Sequence, residues 1–500
     1  MELERDIFEN ARQSRDPRFD GRFFVGVTTT GIYCRPVCPV RIPKKENVQL
    51  YKSAASAAAA GFRPCLRCRP ESSPGTPAWS GSSWKVSRAL QLIEQGFLDE
   101  SGVEELAGQL DVGSRQLGRL FQNHLGASPI EVAQTRRLHF AKKLIDETEM
   151  PLAEICFASG FGSIRRFNAV FDKTYQRPPR EFLEKAGKGK DRGKEKLGAN
   201  SEQKGIEIFL SYRPPYDWKA ILEFLAYRAI PGVEFVSADS YMRTISIEDV
   251  DGHFRAKFIP DKNQLKVNIF ISDTRHLYHI IDRVKSIFDL RADSANIESF
   301  LSKNKLLRPM LKQFSGLRVP GCWSGFEVAV RAILGQQITV KAASTLVSRI
   351  AQRYGRSYAH ADRDCEALTH IFPDSKKLSD ADLAGMGIVQ NRIEAIGEVA
   401  RQIDKDELVI DCTVASDDFV KKTCEIKGIG EWTALYIAMR ALNDPDAFPY
   451  SDLILRRAAA APGETLSPAK LRELSKKWQP WRAYVVILLW RHYKASQEKE

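Results

Sequence analysis

The 500-residue chain contains no apolar run approaching the ~20 residues that span a bilayer, so no transmembrane helix is expected. Its opening residues, Met1-Glu2-Leu3-Glu4-Arg5, carry none of the features of a secretory signal, and a cytoplasmic location follows. Cysteine is scarce, nine residues in all, and four of these are bunched near the N-terminus, a distribution that excludes a disulfide framework. The other five, Cys156, Cys322, Cys365, Cys412 and Cys424, lie scattered in apolar or helical contexts and read as packing residues of a protein from a reducing compartment. An acidic excess is also missing. The net charge is +12, with about +8 in the first two-fifths of the chain, which favours a polyanionic partner. With 43% hydrophobic and 10% aromatic residues the chain is globular, and its length exceeds a single core, so three to four domains are expected.

Against that background the four clustered cysteines stand out. They read Cys34-Arg-Pro-Val-Cys38 and Cys65-Leu-Arg-Cys68. Two short pairs of thiolates each reach one edge of a tetrahedron, the arrangement Zn²⁺ prefers, so one Zn²⁺ per chain is expected. A zinc-bound thiolate among arginines is poised as a nucleophile as well as a ligand, but spacing alone leaves a purely structural zinc knuckle equally open. The flanking residues decide. Arg15-Asp16-Pro17, Asp20-Gly21, Thr29-Thr30-Gly31-Ile32-Tyr33-Cys34-Arg35-Pro36, Glu46-Asn47-Val48 and Ala60-Gly61-Phe62-Arg63-Pro64-Cys65 closely resemble the N-terminal domain of the Ada family. That resemblance implies methyl transfer from a DNA phosphotriester onto Cys34, with Cys38, Cys65 and Cys68 as the remaining ligands. It also places Arg41 and Arg67 where the family touches DNA.

Two stretches interrupt the folded pattern. Pro70 to Ser83 is rich in Ser, Pro and Gly, and residues 186–204 are charged and nearly free of large apolar side chains, so both read as linkers, the second disordered. Between them the chain is patterned for helices. Val103–Leu110 and Ser114–Phe121 form two short amphipathic helices around a tight turn, Pro129–Glu147 a long helix, and the pattern repeats at Pro151–Cys156 and Ser163–Thr174. Two helix-turn-helix units joined by one long helix, with Ala158-Ser159-Gly160-Phe161, Phe167-Asn168, Phe171, Pro178 and Phe182, resemble the AraC family. Arg115 and Arg119 on the first recognition helix, and Arg165 and Arg166 on the second, are the expected DNA contacts.

Alternating segments at Ile206–Leu210, Tyr241–Ile247, Phe254–Ile259 and Leu265–Ile271 predict antiparallel strands, and helices dominate from Thr274 onward. Within the helical part, Ile426-Lys427-Gly428-Ile429-Gly430-Glu431-Trp432 predicts a hairpin between two helices, whose backbone N–H groups at Gly428 and Gly430 suit a DNA phosphate. A G-x-G alone is weak. Together with Ala447-Phe448-Pro449-Tyr450-Ser451-Asp452 it resembles the helix-hairpin-helix glycosylase superfamily. Cleaving a base from deoxyribose passes through an oxocarbenium-like state that a carboxylate stabilises, and Asp452 is the residue assigned to it. A plain helix N-cap is the competing role for that aspartate. Bifunctional members of the superfamily carry a lysine where this chain has Trp432, so monofunctional hydrolysis by water is implied.

Ser211-Tyr212-Arg213-Pro214-Pro215-Tyr216-Asp217-Trp218, Phe326–Gln337 and Trp478-x-Pro480-Trp481-Arg482 narrow the resemblance to the AlkA family of alkylation-repair glycosylases. It implies 3-methyladenine and other alkylated bases as substrates and maps an aromatic pocket onto Trp432, Tyr436 and Trp490. Two positions depart from the family: the base-replacing wedge, a leucine there, is Gln337 here, and the residue after the aspartate, aromatic there, is Leu453. No cysteine is followed by His-Arg, so O6-methylguanine repair is not expected.

The expectation is a multidomain, mainly α chain with small α+β parts. A four-cysteine zinc domain (1–72) precedes an AraC-type double helix-turn-helix (84–185) and a flexible linker (186–204). An AlkA-like antiparallel-sheet domain (205–316) then leads into a helix-hairpin-helix glycosylase domain (317–500). The expected function is an alkylation-damage response: excision of alkylated bases, methyl transfer to Cys34, and activation of repair genes. Double-stranded DNA and RNA polymerase are the implied partners, and no oligomer is implied. The alternatives are a regulator whose glycosylase-like domain is inactive, and an oxidised-purine glycosylase.

Overall fold

The computed structural model describes residues 2–74, 84–185, 205–248, 250–360, 365–461 and 463–498. The expected disordered linker at 186–204, and 75–83 of the earlier one, lie outside the described residues. Contacts divide the chain into two compact units, one of Met1–Pro214 with Ile259–Lys285 and Leu290–Asp293, the other of Pro215–Phe258, Ser286–Asp289 and Ser294–Glu500.

In the first unit a helix, Glu2–Ser14, precedes a small sheet in the spatial order Val48–Tyr51, Phe24–Val27, Ile32–Cys34, Arg63–Pro64. Phe24–Val27 and Ile32–Cys34 pair antiparallel with Val25 opposite Cys34, around a turn closed by Gly31, whose φ of +65° suits glycine. Alternation along Ile32–Cys34 sends neighbours to opposite faces. Cys34 packs with the other three cysteines, whereas Tyr33 packs with Phe24 and Ala57.

The helix-turn-helix pattern is observed as expected: Val103–Gly108 and Ser114–Leu125, then Pro129–Glu147, then Leu152–Ala158 and Ile164–Tyr175, with one further helix, Pro179–Lys185. Both recognition helices bury one stripe, Leu117, Phe121 and Leu125 in the first and Phe167, Phe171 and Tyr175 in the second, each at i, i+4, i+8. The long helix starts from a capping box between Ser128 and Glu131.

The zinc segment is fastened to these helices. The Tyr33 hydroxyl and His139 Nε2 are 2.8 Å apart, Ser53 Oγ donates to the Leu125 carbonyl at 3.0 Å, and Arg63 donates to the Gln176 side chain at 2.9 Å. Pro70–Ser72 corrects the expected linker, because it forms a 3₁₀ turn that carries Glu71 against Lys142 and Arg69. Ser, Pro and Gly content suggested a linker there, but ion pairing supplies the anchor. Burial raises the Glu71 carboxyl above its ordinary value, and those two cations oppose the shift.

Strand Ile206–Ser211 pairs antiparallel with Gln264–Ile271 in this unit. In the second unit Glu234–Val236, Ser240–Ile247 and Val250–Ile259 are antiparallel neighbours. The last begins four residues earlier than expected, because Asp251 and Gly252, turn residues by composition, pair with Ser246 and Ile245. Helices then follow, among them Gly325–Leu334, Val340–Tyr354, Ser416–Cys424, Glu431–Ala441 and Arg482–Gln497. Among the described residues no helix is long and apolar enough to cross a membrane. Of the five outlying cysteines, Cys156 and Cys365 are buried as packing residues, while Cys424 is exposed at the end of its helix and corrects that expectation.

Burial pushes the His139 imidazole down to about 4, so it is neutral in the fold. The unfolded chain binds that proton below about pH 6.5, so the stabilisation is complete above pH 6.5 and lost as pH falls toward 4. Urea unfolding at pH 7.5 and 5.5 should show wild type losing about 1 kcal/mol more than His139→Gln over this interval.

Candidate active sites and metal centre

Cys34 ends its strand, Cys38 follows through a turn in which its N–H donates to the Arg35 carbonyl, and Cys65 and Cys68 lie in the loop after Arg63–Pro64. All four are buried, and their sulfurs lie within 4.8 Å of one another. Zn–S bonds of about 2.3 Å at tetrahedral angles require S–S separations of about 3.8 Å, so the cluster fits one Zn²⁺ with little adjustment. Arg35 braces the group. Its Nε donates to Asp20 Oδ1 at 2.9 Å, its Nη1 to the Cys68 carbonyl at 3.1 Å, and its backbone N–H to Cys68 Sγ at 3.4 Å. Arg41 and Arg67 are exposed, as are Arg115, Arg119, Arg165 and Arg166 on the two recognition helices, opposite the buried stripes.

The second constellation lies in the other unit. Helix Ser416–Cys424 and helix Glu431–Ala441 flank the expected hairpin. Gly428 has a φ of +93°, which calls for glycine, and a Cβ there would also crowd Ala395 Cβ and the Asn391 carbonyl at 3.3 Å. Gly430 is the N-cap of the following helix, and the space beside it is open. Asp452 caps helix Leu453–Ala458 by accepting the Leu455 N–H at 3.0 Å. The same carboxylate accepts the Trp432 indole N–H at 3.0 Å and the Trp490 indole N–H at 3.3 Å. The Trp432 and Tyr436 rings are parallel within 7°, with centroids 5.4 Å apart, and Trp490 lies 6.4 Å from Tyr436.

Asp452, Trp432, Tyr436 and Trp490, named from sequence, therefore meet in one place. Gln337 is exposed at the loop before Val340–Tyr354, in a left-handed conformation with φ +55°. Its neighbour Gln336 donates to the Gly428 carbonyl at 2.9 Å and to Thr433 Oγ1 at 3.1 Å, while Arg392 donates to the Gln336 carbonyl. Leu453 is 46% exposed beside the carboxylate.

Four family descriptions match in succession: metal binding domain of Ada over residues 8–71, helix-turn-helix domain over 106–185, AlkA N-terminal domain over 207–324, and HhH-GPD superfamily base excision DNA repair protein over 330–480. A Mycobacterium tuberculosis protein described as a probable bifunctional transcriptional activator/DNA repair enzyme AlkA is 38% identical across 97% of this chain and 96% of its own length. The chain belongs to that family. It is a DNA-binding protein that combines a DNA glycosylase domain with an Ada-type zinc domain. The Escherichia coli DNA-3-methyladenine glycosylase 2 is 32% identical over 56% of this chain and 95% of its own. The solved 3-methyladenine DNA-glycosylase from Archaeoglobus fulgidus, 21% identical, has the same fold over 57% of this chain and 98% of its own, with a TM-score of 0.50.

Sequence reasoning missed the supports of both sites. Arg440 donates to the Tyr436 hydroxyl at 2.9 Å, and its i, i+4 spacing from Tyr436 was a readable signal. The brace by Gln336 and Arg392, and the contact between Tyr33 and His139, join residues remote in sequence and left no local mark.

Elemental analysis of protein purified without chelator should find one zinc per chain. Cys68→Ala should lose the metal and, with it, the sheet that carries Cys34, because ligand deprotonation and folding are linked. The loss is read as reduced zinc content and as proteolysis within the first 74 residues.

Proposed function

We propose that this protein answers alkylation damage to DNA in three ways: it excises 3-methyladenine and related alkylated bases, takes a methyl group from DNA methylphosphotriesters onto Cys34, and activates transcription of repair genes. The observation that carries the glycosylase reading is the Asp452 carboxylate held between the Trp432 and Trp490 indoles at the rim of an aromatic cluster. Heterolysis of the N-glycosidic bond leaves positive charge on the sugar, and the electron pair departs with the base. Asp452 stabilises that cation and orients the water whose oxygen bonds to the sugar carbon, its proton passing to solvent. A base made electron-poor by alkylation stacks on Trp432, Tyr436 and Trp490. The hairpin at Gly428 and Gly430 presents backbone N–H groups to a DNA phosphate, and Gln337 occupies the space vacated by the flipped base, where its amide hydrogen-bonds the orphaned partner.

In the first unit Cys34 is the methyl acceptor, with Cys34, Cys38, Cys65 and Cys68 as ligands. Bound Zn²⁺ keeps the four sulfurs deprotonated and nucleophilic near neutral pH. The Cys34 sulfur bonds the methyl carbon as the phosphate oxygen leaves with the electron pair, restoring the phosphodiester anion. Arg41 and Arg67 hold the backbone, while Arg115, Arg119, Arg165 and Arg166 enter successive major grooves at a promoter. RNA polymerase is the partner an activator needs, and the cytoplasm is where both act. The functional divisions are 1–72, 84–185, 186–204, 205–316 and 317–500.

Asp452→Asn preserves shape and removes charge. Release of 3-methyladenine from methylated DNA should fall by a factor on the order of 10²–10³ while DNA affinity holds. Undiminished release by this variant would place the catalytic group elsewhere.

Methyl transfer to Cys34 also removes one negative charge from the cluster. At 5–6 Å from a phosphate and an effective dielectric near 20, the relief is about 3 kcal/mol, and under 1 kcal/mol in bulk water. Promoter affinity should rise between a few-fold and a few hundred-fold, and the gain should shrink as salt increases. Titrations of methylated and unmethylated protein across a salt series measure both.

A further inference from the structure

The zinc segment is held by a side chain from another domain. Within the first unit, Arg213 lies two residues past strand Ile206–Ser211 and belongs to the AlkA-type N-terminal domain, whereas Asp20 belongs to the zinc domain. Arg213 is fully buried. Its Nε donates to the Asp20 carbonyl at 2.8 Å, and its Nη1 donates to the Arg291 carbonyl at 2.8 Å. One guanidinium thus staples two backbone segments that belong to different domains. A second tie runs beside it, two residues further along each segment: Arg22 Nε lies 3.4 Å from Asp293 Oδ2.

The stapled loop leads to the sulfurs. The Asp20 side chain is buried, and its carboxylate accepts the Arg35 guanidinium at 2.9 Å. Arg35 follows Cys34 directly and donates twice to Cys68, from its backbone N–H to Sγ at 3.4 Å and from Nη1 to the carbonyl at 3.1 Å. Phe23, three residues past Asp20, packs in one cluster with all four cysteines. A shift of the Asp20 backbone is therefore passed through the Arg35 guanidinium to the peptide that carries Cys34. The 3₁₀ turn before Asp20, Pro17–Phe19, buries no residue fully, so the loop depends on contacts from outside it.

The donor of the staple is itself fixed. The Phe209 N–H donates to Glu147 Oε2 at 3.0 Å, and Lys143 donates to the Phe209 carbonyl, which ties the strand before Arg213 to the long helix Pro129–Glu147. The Tyr278 hydroxyl donates to Glu94 at 2.7 Å, and its ring meets Phe140 edge-on with centroids 4.8 Å apart. The AlkA-type segments of this unit are thus a frame against which the zinc loop is held.

We propose that Arg213 is a positioning residue for the methyl acceptor, so that the AlkA-type domain completes the zinc domain by holding Asp20 and, through Asp20 and Arg35, the Cys34 peptide. The proposal rests on the methyl-acceptor reading for what Cys34 does. Removing the guanidinium leaves two buried carbonyls without this donor, a loss worth ~10–100-fold in the local opening of the loop.

The full-length zinc-loaded protein is compared with Arg213→Met, Arg213→Lys and Arg22→Gln. Three quantities are followed: zinc transfer to the chelator pyridylazoresorcinol, hydrogen exchange over 15–38 and 129–147, and single-turnover methyl transfer to Cys34 at saturating methylphosphotriester DNA. In Arg213→Met, zinc transfer and exchange over 15–38 should each quicken ~10–100-fold, with exchange over 129–147 held within about threefold. Methyl transfer should slow by a factor on the order of 10–100, because the acceptor is no longer held in line. Arg213→Lys keeps one donor and should fall between, and Arg22→Gln should move zinc transfer and exchange over 15–38 in the same direction by less. Unchanged zinc transfer and exchange over 15–38 in Arg213→Met would overturn the proposal. So would equal quickening over both segments in every variant, which would reduce Arg213 to a general prop. If Arg213→Met does not fold, Arg213→Lys and Arg22→Gln decide between the same outcomes. If wild type accepts no methyl group, the methyl-acceptor reading fails, and zinc transfer and exchange still decide whether Arg213 positions the Cys34 peptide.

Discussion

The second unit turns on one carboxylate with three donors. Asp452 closes the N-terminus of helix Leu453–Ala458 and receives indole N–H groups from helices Glu431–Ala441 and Arg482–Gln497. Hydrogen bonds to a charged acceptor contribute about 1.5–3 kcal/mol each, so this side chain holds three helix segments in register. The N-cap role and the proposed catalytic role are therefore not competitors. Capping fixes the rotamer, the indoles fix the carboxylate plane, and the rings that donate to it are those assigned to base stacking in the proposed function. An active-site charge that is also a packing element is pre-organised without further cost at the moment of reaction.

How much of this was readable in the chain depended on how local the cause was. Metal spacing, helix stripes and the glycine hairpin are short-range patterns, and the cysteine cluster, the buried stripe from Leu117 to Leu125 and the positive φ at Gly428 follow from them directly. Asp452 and Trp432 were legible because hairpin, helix and Pro-containing loop follow one another in a recognisable order, with Trp432 just after the hairpin and Asp452 at the end of the loop. The contact between Arg213 and Asp20 was not. It joins residues 193 positions apart, and nothing in Tyr212-Arg213-Pro214 points to the cysteines. Pro70–Ser72 misled for the opposite reason: its composition is that of a linker, and its anchor is an ion pair with a helix seventy residues away.

Charge is handled differently at the two chemistries. Around the zinc segment, cations and anions alternate, as in Arg69, Glu71, Lys142 and Asp146, so each buried charge faces its opposite. Behind the aromatic cluster the cations outnumber the carboxylates, and the imbalance is expressed on a neutral hydroxyl, that of Tyr436. A paired network holds shape. An unbalanced one lowers the Tyr436 hydroxyl that burial alone would raise.

Strand Ile32–Cys34 gives the first unit a property that neither a metal site nor a DNA-binding helix has alone. Because neighbours on a strand face opposite ways, Cys34 looks into the sulfur cluster and Tyr33 into the helix that joins the two recognition helices. One peptide bond separates the inorganic chemistry from the gene-reading scaffold. The protein's access to zinc thus becomes an input to how firmly that scaffold is held. A cell short of the metal would weaken its damage sensor and its damage response together, rather than leave a regulator that runs without a signal.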